Sequence, residues 1–396
     1  MMAQSNDQLE WIGDRVIRAC PFDPEAGPPD VVTADIAPVG SVYLAMSHSA
    51  VRQVLTDPRF SRGASYTSTS AQMNGHTTTV GLQALEGDAH TRRRALVRGA
   101  FRKDNLAALR PKIDVIADDL VAKVAANGPP ADLKKAVAVP LPSLTMALLL
   151  GLPVSYADRI QPYAEAVMAV EGVDDSQFRA AAQGLLRIAA RLLHDAGRAG
   201  AGGDGYATAL VRELGTSRAA RTEILYVLHD LLIGGVENMM VGIEMGLVDM
   251  LSRPHSYSDL RTHPENVEAV MEEMLRLNAP GRLTFVRTAT EDAVVNGTLI
   301  PGGASVLPVI GTANRDARVY ENPDLFEADR PRKVHYSFGL GKHSCPGAPL
   351  ARIELQALFL SLTRRLPGLK LAAEPYALPH RGGHFVDGYR AIPVTW

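Results

Sequence analysis

The 396-residue chain has only two cysteines, Cys20 and Cys345. Two thiols argue against a disulfide framework, and they exclude a zinc site built from four cysteines. Neither sign of charge is in large excess, because the chain has 41 lysines and arginines and 43 aspartates and glutamates, for a formal net charge of −2. This balance gives no indication of a nucleic-acid partner.

Several common signals are missing as well. The first seven residues are polar and contain no basic stretch followed by an apolar run, so we expect no signal peptide, no membrane anchor and a cytoplasmic protein. No Gly-x-Gly-x-x-Gly unit occurs in a strand–helix–strand context, which argues against a fused nicotinamide or flavin domain. The glycine-rich stretch 197–205 lacks the Lys-Ser/Thr of a phosphate loop and is predicted to be a linker.

Hydrophobic residues make up 46% of the chain, as in an ordinary globular protein. Residues 104–215 are rich in alanine and leucine and predict helices, one of which ends at Gly151. Residues 222–251 form the longest helical pattern, and its polar positions argue against a membrane span. Shorter strand signals occur at 41–46 and 283–289, and Asn296-Gly297 predicts a hairpin turn. Residues 61–80 are rich in Ser, Thr and Gly, which is typical of a binding loop or a disordered insertion.

The stretch from Ser337 to Arg352 is the most informative part of the sequence. Cys345 lies between glycine-rich turns and a helix that begins near Pro349. Amide groups and the dipole at this helix start favour a thiolate over a thiol. A buried structural cysteine is one interpretation, and a thiolate ligand to haem iron is the other.

The pattern in this stretch resembles the haem loop of the cytochrome P450 family. The matching residues are Phe338, Gly339, Gly341, His343, Cys345, Gly347, Leu350, Ala351 and Arg352. The resemblance implies one mainly α-helical domain with small β-sheets over residues 1–396, the cytochrome P450 fold. It also implies haem b bound through Cys345, with 337–352 as the haem-thiolate segment, 222–251 as the long central helix over the oxygen-binding face, and 61–89 as a substrate loop.

Further segments resemble the family in the same order along the chain. The resemblance implies that His90, Arg94, Arg287 and His343 hold the haem propionates, and that Phe338 and Gly339 also line the cofactor site. Glu273, Arg276 and Arg330 would form a structural network that braces the loop. Substrate would contact Thr284, Phe285, Phe385 and Val386. An ordinary solvated basic helix face remains the interpretation for Arg92, Arg93 and Arg98.

The middle of the long helix contains Gly234, Gly235, Glu237 and Asn238. Two adjacent glycines indicate a close approach of another group or a local kink. The segment resembles the family's oxygen-side segment, which implies catalytic roles for Gly234, Glu237 and Asn238. Asn238 stands where the family usually has threonine, and an amide does not relay a proton as a hydroxyl does. Either water or a substrate hydroxyl completes the relay, or the enzyme runs chemistry that depends less on standard hydroxylation, and the departure favours the second interpretation.

The resemblance implies an O₂-activating oxidase or monooxygenase of bacterial secondary metabolism that acts on a small natural product. Radical C–C or C–N coupling of an aromatic or cyclic-dipeptide substrate is one hypothesis, and regiospecific hydroxylation of a macrolide- or terpenoid-like substrate is another. A non-catalytic haem sensor is the alternative from another class, and a cysteine hydrolase using Cys345 and His343 is disfavoured by their loop spacing. Electrons would come from a ferredoxin and its reductase, docking near Arg102, Lys342, Arg364 and Arg365. We expect neither nucleic acid nor membrane as a partner.

Overall fold

The computed structural model describes residues 26–36, 40–67, 81–169, 172–199, 204–331, 333–382, 384, 386 and 388–396. Most of them lie in helices: α1 His48–Thr56, α2 Arg62–Thr67, α3 Gly87–Gly99, α4 Lys103–Asn127, α5 Pro140–Leu150, α6 Ala157–Met168, α7 Asp175–Ala199, α8 Tyr206–Leu214, α9 Arg218–Leu251, α10 Pro254–Thr262, α11 Val267–Leu277, α12 Ile310–Ala313 and α13 Ala348–Arg365. The strands are short: β1 Val31–Ile36, β2 Gly40–Ala45, β3 Phe60–Ser61, β4 Ala131–Asp132, β5 Arg287–Ala289, β6 Ala293–Val295, β7 Thr298–Ile300, β8 Ser305–Pro308, β9 Lys370–Leu371 and β10 Pro393–Thr395.

The long helix α9 runs through the interior. The Ser217 hydroxyl caps its start by accepting the N–H of Ala220 at 3.2 Å. The helix packs on α5, α6 and α7, which bury most of its apolar surface. Its length and composition would suit a membrane span, but 72% of its most apolar window is buried inside the protein, as in a core helix. The predicted helix over 222–251 is confirmed and begins four residues earlier, at Arg218.

The described residues form three small sheets beside the helices. The largest has the order β1-β2-β8-β5-β3, with β2 and β8 parallel and the other neighbours antiparallel. The second has the order β4-β10-β9. The third is the β6–β7 hairpin, whose turn residues Asn296 and Gly297 have φ of 44° and 86°, as a tight hairpin turn requires. The mainly helical fold class with small sheets is therefore confirmed.

Two local predictions need correction. Residues 62–67 of the expected loop form helix α2, so loop composition there gave the wrong structure, while 68–80 lie outside the described residues. Of the strand signal at 283–289, only Arg287–Ala289 joins the sheet as β5. By contrast Gly151 ends α5 with a left-handed φ of 84°, as its composition predicts.

The structural network predicted around Glu273 is present and buried. Its carboxylate accepts bonds from Arg276 at 2.7 and 2.8 Å and from Arg330 at 3.1 Å. Arg276 also donates to the carbonyl oxygens of Asn314 and Pro323. These bonds fix the segment that leads into the cysteine loop against α11.

Candidate cofactor site

A cavity of about 440 Å³ lies between the middle of α9 and the cysteine loop. Residues from distant parts of the chain line it, and they include most of those singled out in the sequence. The predicted site residues at its wall are His90, Arg94, Gly234, Asn238, Thr284, Phe285, Arg287, Phe338, Gly339, His343, Cys345 and Val386. The fold thus brings together groups that are up to 296 positions apart in sequence.

Backbone hydrogen bonds hold the cysteine loop rigid. The N–H of Cys345 donates to the carbonyl of Phe338 at 2.7 Å, and the N–H of Gly339 donates to the carbonyl of Tyr336 at 2.7 Å. Gly341 has a φ of 74°, and a Cβ there would lie 2.8 Å from the carbonyl oxygen of Leu55. A side chain at this position would therefore displace the loop from α1.

Cys345 is exposed where it lines the cavity, and protein atoms surround its thiol on the other sides. Desolvation by those atoms raises the pKa of the thiol, whereas the amides of Gly347 and Ala348 and the charges of Arg94 and Arg352 lower it. The amides at the helix start thus favour the thiolate, as predicted, but they do not outweigh the desolvation. A metal cation bound to the sulfur would supply the missing stabilisation, since a coordinating thiol is deprotonated.

Four cationic or ring side chains gather at one side of the cavity. Arg94 donates to the carbonyl and hydroxyl oxygens of Ser344 at 2.7 and 2.9 Å, which places it beside the cysteine loop. The rings of His90 and His343 lie 4.4 Å apart. Arg287 is 2% exposed and donates to the carbonyl of Phe60 at 3.1 Å. Burial lowers the pKa of both histidines, that of His90 to about 4, so both rings are neutral near pH 7.

Three of these side chains carry buried polar atoms with no hydrogen-bond partner among the described residues. The atoms are Nε2 of His90, Nε2 of His343 and Nε of Arg287. Unsatisfied buried polar atoms are rare in native proteins and call for a partner. The carboxylates of haem propionates would supply one, so the residues present fit the cofactor that the sequence predicts.

Glu86 is a residue of this region that no sequence motif singled out. Its carboxylate accepts the N–H groups of Arg62 and Gly63 at 2.9 and 3.2 Å and pairs with Lys342 at 2.5 Å. Burial alone would raise its pKa, but these partners hold it well below its usual range, helped by Nε2 of His343, which at 3.6 Å is near the carboxylate but beyond hydrogen-bond distance. Glu86 thereby joins α2 to the cysteine loop.

The cavity-facing side of α9 is open at Gly234 and Asn238, which lie one turn apart. The Asn238 amide donates weakly to the carbonyl of Gly234 at 3.5 Å, and the helix continues through both glycines. Gly235 is explained by a close approach, because a Cβ there would lie 2.4 Å from Sδ of Met146 on α5. A Cβ at Gly234 would meet nothing within 4 Å.

Glu237 does not lie at the cavity wall. It is fully buried on another face of α9 and pairs with Arg381 at 2.6 Å. Burial raises the pKa of Glu237 to about 7, although the Arg381 charge acts to lower it. Of the three residues predicted to be catalytic, the structure therefore brings Gly234 and Asn238 to the cavity and leaves Glu237 behind them.

The predicted substrate residues Thr284, Phe285 and Val386 line the cavity. Phe385 lies outside the described residues. Arg62, Ser65 and Tyr66 also line the cavity; they lie in 61–89, the segment expected to be a substrate loop, and they reach the wall from helix α2.

The predicted basic docking face carries less free charge than its composition suggests. Arg364 and Arg365 both pair with Asp118, and Lys342 pairs with Glu86. Arg102 stays exposed. A surface groove nearby is lined by Phe101, Lys103, Leu106, Ala107, Arg110, Pro349 and Ile353.

Comparison with known proteins shows which family the chain is similar to. The family model described as Cytochrome P450 matches residues 207–366. The chain is 33% identical to cytochrome P450-SU2 of Streptomyces griseolus over 95% of this chain and 94% of that one. It is 33% identical to mycinamicin IV hydroxylase/epoxidase of Micromonospora griseorubida over 89% of each. A crystal structure of a cytochrome P450 with biaryl coupling reactivity superposes with a TM-score of 0.84 at 29% identity, over 93% of each chain.

Proposed function

The chain belongs to the cytochrome P450 family, as a haem-dependent oxidoreductase of the kind found in bacterial secondary metabolism, and on that premise we propose the roles of its site residues. Cys345 is the protein ligand of the haem iron. His90, Arg94, Arg287 and His343 hold the two propionates. The observation that carries this proposal is the set of unsatisfied buried polar atoms on His90, His343 and Arg287, three residues that line the same cavity as Cys345.

When bound, the haem supplies O₂ activation, and a thiolate ligand favours O–O cleavage by donating electron density. The protein residues orient and enclose that chemistry. Hydrogen bonds within the loop hold the sulfur of Cys345 in place. Asn238 offers an amide N–H and a carbonyl oxygen to a water molecule or a substrate oxygen, and it has no hydroxyl to relay a proton. Glu237 lies behind this wall, paired with Arg381, and its pKa of about 7 leaves it partly protonated near neutral pH.

For the reaction itself we propose oxidative coupling of an aromatic or cyclic-dipeptide natural product, by C–C or C–N bond formation. Two observations support it: Asn238 at the open face of α9, and the likeness to a cytochrome P450 with biaryl coupling reactivity. Regiospecific hydroxylation of a macrolide- or terpenoid-like substrate is the second candidate, and the likeness to mycinamicin IV hydroxylase/epoxidase favours it.

Incubation under ¹⁸O₂ separates the two candidates. Coupling predicts a product whose mass is that of two joined centres minus two hydrogens, without label. Hydroxylation predicts one labelled oxygen atom in the main product. An unlabelled coupled product supports the first proposal, and a labelled main product overturns it.

Enzymes of this family need redox partners, O₂ and a small-molecule substrate. We propose a ferredoxin and its reductase as the electron donors and the cytoplasm as the location. The docking surface we favour is the groove that contains Lys103, together with the exposed Arg102 beside it, where α13 starts close to the cysteine loop; Arg110 of the same groove already pairs with Asp114 at 3.0 Å. Substituting Arg102 and Lys103 with glutamate should slow reduction by a ferredoxin and weaken its salt dependence.

A further inference from the structure

Arg62 is a buried cation at the cavity wall. It begins helix α2 and its side chain is 3% exposed. Nη1 donates to the carbonyl of Val286 at 3.3 Å, and Nη2 donates to the hydroxyl of Tyr66 at 3.0 Å. The guanidinium carbon lies 4.1 Å from the centroid of the Phe285 ring. These contacts are all with neutral groups.

Within the described part of the chain, no carboxylate forms an ion pair with the Arg62 guanidinium. Glu86 is close, but it takes the backbone N–H of Arg62 and pairs with Lys342. A buried charge without a partner is strongly unfavourable. Burial lowers the pKa of Arg62, yet an arginine stays charged in proteins. The arrangement therefore suits a ligand that brings a negative charge.

A charge count indicates where that ligand comes from. Arg94 and Arg287 line the same cavity and donate to neutral oxygens of Ser344 and Phe60. Haem b has two propionates, and Arg62, Arg94 and Arg287 together carry three positive charges. One positive charge remains when both propionates are paired.

The acidic groups at the wall do not supply the missing negative charge. Asp230 accepts the N–H of Leu82, and burial raises its pKa to about 7. Glu354 is fully buried, and burial raises its pKa well above the usual range, so it is neutral. Neither accepts a hydrogen bond from Arg62, whose two bonds go to Val286 and Tyr66.

We propose that Arg62 is a carboxylate-binding residue of the cavity and that the substrate supplies the carboxylate. The guanidinium has five N–H groups, and two of them are used by Val286 and Tyr66. The remaining donors suit a charge-assisted pair with a carboxylate, flanked by the Phe285 ring. This inference rests on the proposed function, because it places haem and substrate in one cavity.

The test uses the haem-loaded enzyme and a series of ω-(imidazol-1-yl)alkanoic acids with the matching ω-(imidazol-1-yl)alkan-1-ols. The imidazole binds iron in every probe, so each acid differs from its alcohol only in the group presented to the wall. Affinities come from titration of the shift in the haem Soret band. At the chain length that reaches Arg62, the acid should bind about tenfold or more tightly than the alcohol.

Arg62→Gln should abolish this preference, and Arg62→Lys should keep part of it because the charge remains. Arg59→Gln is the matched control, since Arg59 pairs with Asp57 outside the cavity and its loss should leave the preference intact. The comparison of acids with alcohols in the unmodified enzyme is informative even if a variant fails to fold. Unsubstituted imidazole is the reference ligand for all four proteins.

Equal affinities of acid and alcohol at every length would overturn the proposal, as would a preference that survives in Arg62→Gln. If the acids have no advantage but Arg62→Gln lowers the haem reduction potential, Arg62 binds a haem propionate and the assignment to substrate is wrong. If imidazole itself produces no shift in the unmodified enzyme, the proposed haem site fails, and this inference fails with it.

Discussion

The two adjacent glycines of α9 give a prediction with an internal control. Both lie in the middle of one helix, so replacement of either by alanine gains about 1 kcal/mol of helix stability. The Cβ of Gly234→Ala would meet no protein atom within 4 Å, so packing against the protein does not oppose that gain. The Cβ of Gly235→Ala would lie 2.4 Å from Sδ and 2.9 Å from Cε of Met146, which is 1% exposed.

The Met146 thioether must move to admit this methyl group, and because this flexible side chain lines the cavity the cost lies at the low end of the overpacking range. Gly235→Ala should therefore be less stable than Gly234→Ala by about 1 kcal/mol. Urea denaturation of the two haem-loaded variants measures the difference as a shift in midpoint. Gly234→Ala should also alter ligand affinity, because it adds a methyl group to the cavity wall. Equal midpoints for the two variants would refute the assignment of Gly235 to packing and Gly234 to the cavity.

Three further predictions concern buried charge and the open face of α9. Glu273→Gln should cost about 3–5 kcal/mol because it leaves the buried Arg276 guanidinium without an ion-pair partner and leaves Arg330 with Glu327 alone. Asp195→Asn in an exposed pair should cost far less, and similar urea midpoints for the two variants would contradict the network's role. The pKa of Glu237 is about 7 in the folded protein and lower when unfolded, so its contribution to stability is complete below the unfolded pKa and is lost as pH rises through 7. Between pH 5 and 8, the urea midpoint of Glu237→Gln should fall less with rising pH than that of the unmodified protein. The same pH dependence in both proteins would mean that another group takes up this proton. Asn238→Thr should at least halve hydrogen peroxide release per NADH consumed and shift product toward oxygen insertion, and no change in either quantity would remove the emphasis on this residue.

The cysteine loop could be predicted from sequence because its determinants are local. Gly341, Cys345 and Pro349 lie within nine positions, and the backbone bonds that shape the turn join residues of the same stretch. The orientation of Glu237 could also be predicted in part, from its position on the helix. Residues 234 and 238 share a helical face, whereas 237 is about 100° away from 238.

Other features depend on contacts between distant segments, which no local pattern encodes. The Arg62 side chain is held by contacts with Val286 and Phe285, which are more than 200 positions away in sequence. The residues next to Arg62 in the sequence suggested only a loop. From the sequence, Arg364 and Arg365 are expected to be unpaired positive charges. In the structure, α4 packs on α13 and brings Asp118 into ion pairs with both. A run of basic residues therefore predicts a positively charged surface only if folding brings no acidic side chain next to it.

The central claim is that Cys345 is the sulfur ligand of the haem iron. Iron K-edge X-ray absorption of the haem-loaded enzyme measures the atoms bound to iron directly. We predict one sulfur neighbour in the unmodified protein and in Cys20→Ser, and its replacement by a lighter atom in Cys345→Ser. A sulfur neighbour that persists in Cys345→Ser, or disappears in Cys20→Ser, would contradict the account.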